Sequence, residues 1–184
     1  MNDVINELEQ HLLRLRPEYY AELQPPLPDA TLNSLQQQYN VVLPADLLAL
    51  YRWKNGQAAD CYEAFAGNSM FLPLEEALDT AAELTSMIDL DFELKHWWHE
   101  QWIPILHNGG GDYTCYDLAG LFTGDQGQLI AFWHADKDRN VIAPDLERFI
   151  AALNIYYKST DVTELDAYFE PVAIKGYPKR FNAG

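Results

Sequence analysis

The segment from Leu43 to Gly56 constrains the chain more than any other, because it carries both ends of one short helix. Pro44 suits the first helical position, where its missing N–H would have had no partner. Asp46 sets a carboxylate against the positive helix end, and Lys54 sets an ammonium in the last turn. Asn55-Gly56 offers residues that tolerate the left-handed backbone closing many helices. Leu47, Leu50, Tyr51 and Lys54 recur at helical spacing, which predicts one buried face.

The same periodicity extends the plan in both directions. Val4, Leu8, Leu12 and Leu15 predict an amphipathic helix that Pro17 stops. Pro25-Pro26-Leu27-Pro28 is a stiff connector, and Asp29 is placed to cap a helix burying Leu32, Leu35 and Tyr39. Met70 to Leu72 predicts a short strand. Pro73 then opens a helix with Glu75 and Glu76 in its first turn and Leu74, Ala77, Leu78, Ala81 and Leu84 on its face. From Trp102 the period turns extended: Ile103–Leu106, Tyr113–Tyr116 and Leu129–His134 predict strands, and Val141–Ala143 a short fourth. Gly109-Gly110-Gly111 and Asp136 to Asn140 are the turns between them. Pro144 opens a last helix with Leu146, Phe149, Ile150, Leu153 and Tyr157 on one face. Tyr168, Phe169, Val172 and Ile174 are enough apolar surface for the tail to pack back. Helices, then strands, then a helix predict an α+β fold: a single domain, with a mainly antiparallel or mixed sheet of about four or more strands against several helices.

Composition bounds the function. Twenty-eight acidic against 12 basic residues give a formal charge of −16, which disfavours nucleic acid and anionic membrane as partners and favours a basic protein. Acidity also serves plain solubility. No apolar run approaches the roughly 20 residues that span a bilayer, and Met1 to Glu7 lacks the basic and apolar regions of a signal peptide. Cys61 and Cys115 stand far apart without a paired motif, so two free thiols in a cytoplasmic protein are expected.

Several patterns imitate chemistry. His99-Glu100 begins like a zinc-protease helix, but Ile103 stands where the second histidine belongs. His96 and His99 lack a third ligand, and Trp97, Trp98 and Trp102 read as an aromatic packing corner. Asp136, Asp138, Asn140 and Glu147 imitate a calcium loop, but Val141 replaces the glycine of its sharp turn. The glycine run leads into a strand, so no helix N-terminus waits for a phosphate. Asp112 and Asp117 are five apart on one strand and point to opposite faces, and Asp112 fits a turn-capping role instead. The sequence therefore calls for no catalytic set, cofactor or metal.

The order of Leu43-Pro44, Tyr51, Asn55-Gly56, Trp102, Pro104, Gly111-Asp112 and Asp117 resembles the SUKH superfamily, specifically the domain of Smi/Knr cell-wall assembly regulators, over roughly residues 26–155. Most of those positions are fold determinants. The resemblance leaves residues 1–25 as an N-terminal helical extension and 156–184 as a C-terminal extension packed on the core. It implies a non-enzymatic protein-binding module, either an immunity protein that neutralises a toxin or a regulatory scaffold for endogenous partners. An uncharacterised hydrolase is the third reading. Aromatic residues beside carboxylates suit an interface that meets Lys or Arg, which selects Asp60, Tyr62 and Glu63 in one loop and Asp136 and Asp138 in another as contacts for a basic toxin domain.

Overall fold

Helix α1 (Asn2–Leu15) buries Ile5, Leu8, Leu12 and Leu15 and leaves Val4 half-buried. Pro17 ends it as expected but also starts a further helix, α2 (Pro17–Glu22), because proline is at home in a first turn. The structure, a computed structural model, describes residues 1–88, 90, 96–159 and 173–183. In α3 (Asp29–Gln38) Asp29 is the first helical residue and Pro28 occupies the cap; Leu32 and Leu35 are buried, and Tyr39 is half-buried. Likewise α4 (Ala45–Trp53) starts one residue later than expected, with Pro44 extended at its cap. Strand β1 (Met70–Phe71) is one residue shorter than expected, and α5 (Leu74–Ser86) starts after Pro73, which occupies its cap.

Strands β2 (Trp102–His107), β3 (Tyr113–Asp117), β4 (Gln128–Phe132) and β5 (Asp138–Ala143) precede α6 (Leu146–Ser159). A further strand, β6 (Lys179–Asn182), pairs with β5. The described residues thus form six helices and one antiparallel sheet in the order β1-β2-β3-β4-β5-β6, a single α+β domain. The sheet register shifts between Pro104 and Leu106, which accommodates a proline inside a buried strand. The expected packing of Tyr168, Phe169 and Val172 lies outside the described residues, whereas Ile174 is half-buried against the core.

The alternation of β3 decides what each sheet face meets. Cys115, with Ile130, Phe132 and Val141, packs against Trp98, Trp102 and Ala81 of α5. Trp98 stands edge-on to Trp102 and Phe132, with centroids 5.6 and 5.3 Å apart, so the expected aromatic corner exists. Tyr116, with Ile103, Leu129 and Ala143, faces the larger helical core of α1, α4 and α6. Both cysteines are free, Cys115 buried and Cys61 half-buried.

The α1–α6 contact carries a titratable weak point. The His11 ring stacks on Tyr157 at 5.9 Å, and its Nε2 is buried with no hydrogen-bond partner among the described residues, 3.8 Å from Glu7. Burial foremost, aided by Arg14 and Lys158 and opposed by Glu7, holds its pKa below the ordinary 6.5. Burial lowers His107 in the same way. Folding thus favours the neutral imidazoles, so their contribution is complete above about pH 6.5 and is lost as pH falls below it. Glu7, lowered chiefly by Lys158, acts in the same direction only at more acid pH. The urea midpoint is expected to fall between about pH 7 and pH 5.5, and His11→Phe should flatten that slope. A midpoint flat over this range, or a slope unchanged in the variant, would show that His11 does not set the pH dependence.

Candidate binding surface

The loop bearing Asp60, Tyr62 and Glu63 hangs from a buried post. Gln57 is 3% exposed; its Oε1 accepts from the Tyr19 hydroxyl at 3.0 Å and the Phe71 N–H at 2.9 Å. Its Nε2 donates to the Cys61 and Glu63 carbonyls at 2.8 and 3.0 Å. Oε1 thus fixes the post to α2 and β1 while Nε2 holds the loop, which limits that loop's motion. Arg16 completes the clamp, donating to the Ala64 carbonyl at 2.8 Å and pairing with Glu63 at 3.1 Å. On this frame Tyr62 is 81% exposed and Asp60 is exposed, with no ion pair to Asp60 among the described residues. Burial foremost, with the Glu63 and Glu22 carboxylates adding, raises the Cys61 thiol pKa. The corner therefore presents carboxylates around an exposed ring. Gln57 has no recognisable signal in the sequence, being one polar residue after a turn.

Asp136 and Asp138 occupy a different setting: the expected turn over 136–140 is shorter, because pairing with β6 draws Asp138, Arg139 and Asn140 into β5. Arg180 of β6 reaches both, its Nε donating to Asp138 at 2.6 Å and its Nη2 to Asp136 at 3.4 Å. Both carboxylates are half-buried, and one guanidinium already neutralises part of their charge. The more open anionic surface is the outer side of α5, where Glu75, Glu76, Asp79 and Glu83 are exposed without an ion pair among the described residues. Asp79 accepts from the Tyr39 hydroxyl at 2.5 Å.

On the sheet face that also bears Tyr116, the described helices leave one end of the sheet open. There a cavity of about 680 Å³ opens over Leu106, Thr114, Ala131 and Asn140, with Trp133 and Tyr177 among the residues at its walls. Asp112 lies at one end. Its Oδ1 accepts from the His134 N–H at 2.9 Å and contacts the ring Nδ1 at 2.8 Å, while Oδ2 accepts from the Asn108 amide at 2.8 Å. Burial pushes the Asp112 carboxyl up, but those contacts, led by the backbone donor, outweigh it and hold the group below the usual carboxylate range. Gly111 has a φ of +92°, which favours glycine, whereas a Cβ there would meet the His134 ring only at an ordinary contact distance of 3.5 Å.

The chemical look-alikes come apart. Asp117 is fully buried and accepts from the Ala119 and Leu121 N–H groups at 2.9 and 2.7 Å and from the Gln128 amide at 2.7 Å; it secures the 118–127 loop. None of these partners is shared with Asp112. The His99 ring accepts from the Gln101 N–H, and the His96 ring stands edge-on to Phe122. Glu147 pairs with the Met1 ammonium at 2.8 Å rather than with Asp136 or Asp138. Among the described residues no three His, Cys, Asp or Glu side chains are grouped to hold a metal.

The motif positions are joints. Leu43 is buried, and its N–H donates to Gln36 at 2.8 Å. The Tyr51 hydroxyl donates to the Leu72 carbonyl at 3.3 Å, and Asn55 Oδ1 accepts from the Leu74 N–H at 2.9 Å. Asn55 therefore serves the start of α5 instead of closing α4, whose last cap, Lys54, is extended. Trp102 is fully buried, and Pro104 sits at the strand irregularity.

An α+β scaffold that invests its motif residues in internal joints and leaves an acidic, aromatic-bearing surface free is built for display. Residues 26–152 match the SMI1 / KNR4 family (SUKH-1), and the chain belongs to that family. No curated protein matches the chain.

Proposed function

We propose that this protein is a protein-binding module of the immunity type, acting in the cytoplasm on a basic toxin domain without catalysing a reaction. Family membership supports the protein-binding part. The observation that carries the rest is the anchored corner of Asp60, Tyr62 and Glu63 on a chain of net charge −16. A prefixed loop loses little conformational freedom on binding, and an exposed tyrosine amid carboxylates makes a cation-binding centre. The exposed acidic face of α5, without an ion pair among the described residues, adds to the steering field. Asp136 and Asp138 contribute less, because Arg180 partly neutralises them. A regulatory scaffold for endogenous proteins is the alternative, and a neighbouring gene for a large secreted toxin distinguishes the two.

The test is association kinetics with a candidate basic toxin domain. The on-rate is expected to fall about tenfold or more between low and high salt, since screening acts over about 8 Å at physiological ionic strength. Asp60→Asn with Tyr62→Ala should slow association and raise the off-rate while leaving the fold intact, because both side chains are exposed. An acidic partner, or an on-rate indifferent to salt, would reduce the charge to a solubility feature.

A further inference from the structure

The cavity on the sheet carries a separate inference, which rests on the protein-binding reading but not on the partner being a toxin. Its floor is one transverse row in cross-strand register: Leu106 opposite Thr114, Thr114 opposite Ala131, Ala131 opposite Asn140. Strands lie about 4.8 Å apart, so this row over four strands spans about 14 Å. That is the length of four or five residues of polyproline-like chain at about 3.1 Å each. Thr114, Ala131 and Asn140 lie inside the sheet yet remain partly exposed. The two short side chains at the centre make the row a trough. Trp133, 53% exposed, and the half-buried Tyr177 stand at its walls.

The polar groups in this trough point to its ligand. The side chains of Thr114, Asn140 and Tyr177 make no side-chain hydrogen bond among the described residues. Among the described residues no Lys, Arg or Glu lines the trough. The carboxylate that lines it among the described residues, Asp112, already serves His134 and Asn108 through both oxygens. Among the described residues the floor of the trough thus carries no charged side chain, and hydroxyl and amide donors stand between its aromatic walls. Its complement is uncharged, rich in carbonyl oxygens and rigid enough to lie across four strands. A hydroxyl-rich sugar fits less well, because it would want the carboxylate that Asn108 and His134 occupy.

We infer that this trough binds an extended, uncharged, proline-bearing segment of a protein partner. Proline rings pack on Trp133 and Tyr177, and the segment's carbonyls accept hydrogen bonds from Asn140 and Thr114. Because proline residues are already extended, little ordering entropy is lost on docking.

The probe is an acetylated, amidated proline-rich nonapeptide without charged residues, titrated into the full-length protein and followed by amide and indole NMR shifts. Saturable shifts are expected at Thr114, Ala131, Asn140 and the Trp133 indole. Trp133→Ala should weaken binding about tenfold or more. Ala131→Leu, which fills the floor and leaves Trp133 in place, should do the same if Trp133→Ala perturbs the fold. Affinity should change less than about twofold with salt, because the probe is uncharged. Absence of shifts at millimolar peptide, shifts confined to another face, or saturation of the same residues by maltohexaose and not by the peptide would each overturn the inference. A basic toxin indifferent to salt would sink the immunity reading and leave this one standing; an unbound peptide would do the reverse.

Discussion

Gly56→Ala is expected to abolish the cooperative unfolding transition of this protein at physiological temperature. Gly56 has a φ of +73°, where a side chain costs about 1–2 kcal/mol by itself. Steric contact costs more than this backbone strain. A Cβ on Gly56 would stand 2.3 Å from the Pro73 nitrogen and 2.5 Å from the Leu72 carbonyl carbon. Both are backbone atoms of the segment that opens α5, so no side chain can swing away. The flanking bonds, Tyr51 to the Leu72 carbonyl and the Leu74 N–H to Asn55, hold the two segments at that separation. Relief therefore requires the α4–α5 joint to open, at a cost of at least about 4 kcal/mol, against a total stability of about 5–15 kcal/mol for a domain. Gly124→Ala is the control. Gly124 also has a positive φ, +86°, but nothing lies within 4 Å of its Cβ position, so only backbone strain of about 1 kcal/mol applies. Urea unfolding of both variants separates contact from conformation. If Gly56→Ala lost no more stability than Gly124→Ala, the joint would not be the motif's purpose.

What the sequence made legible was local. The periodicities of α1, α4, α5 and α6 and the alternation of β3 are properties of adjacent residues and each appeared in the expected segment, although α4, α5 and α6 start one or two residues after the prolines read as opening them. Asn55-Gly56 was visible as punctuation, but its partners at 72–74 belong to the tertiary fold, so its role was read as closing one helix rather than joining two. Strand β6 was not legible because Lys179-Arg180-Phe181-Asn182 is short and mostly polar; its register comes from β5. The same pairing brings Arg180 onto Asp136 and Asp138, more than forty residues away, and so alters what their exposed-turn reading offers a partner. Asp60 and Tyr62 were readable as a polar loop, whereas the Gln57 post that fixes the loop needs Tyr19 and Phe71 to have meaning. Thr114, Ala131 and Asn140 are unremarkable in sequence and become one surface only when three strand registers align them.

Removing residues 1–15 is expected to be as damaging as Gly56→Ala, although these residues precede the family match at 26–152. The sequence alone made them an extension; the packing makes them part of the core. Leu8 and Leu12 are fully buried, and Ile5 and Leu15 nearly so. Four such side chains contribute about 1.5–3 kcal/mol each in transfer free energy, which together is comparable to a domain's whole stability. Polar ties fix the register along α6: the Asn154 amide donates to the Val4 carbonyl at 2.8 Å, and Met1 pairs with Glu147 at 2.8 Å. Without α1, the buried Leu153 and Tyr157 of α6 lose part of their cover, as does Leu47 of α4 in the same cluster. The fragment 16–184 should keep far-ultraviolet helical signal, lose its near-ultraviolet aromatic signal and unfold without a cooperative transition. The single variants Leu8→Ala and Leu12→Ala should each cost about 3 kcal/mol and unfold cooperatively at lower urea. Their graded loss distinguishes removal of core from mere truncation of a tail. A fragment 26–152 that unfolded cooperatively would make α1 an accessory, and the minimal folding unit would then coincide with the family match.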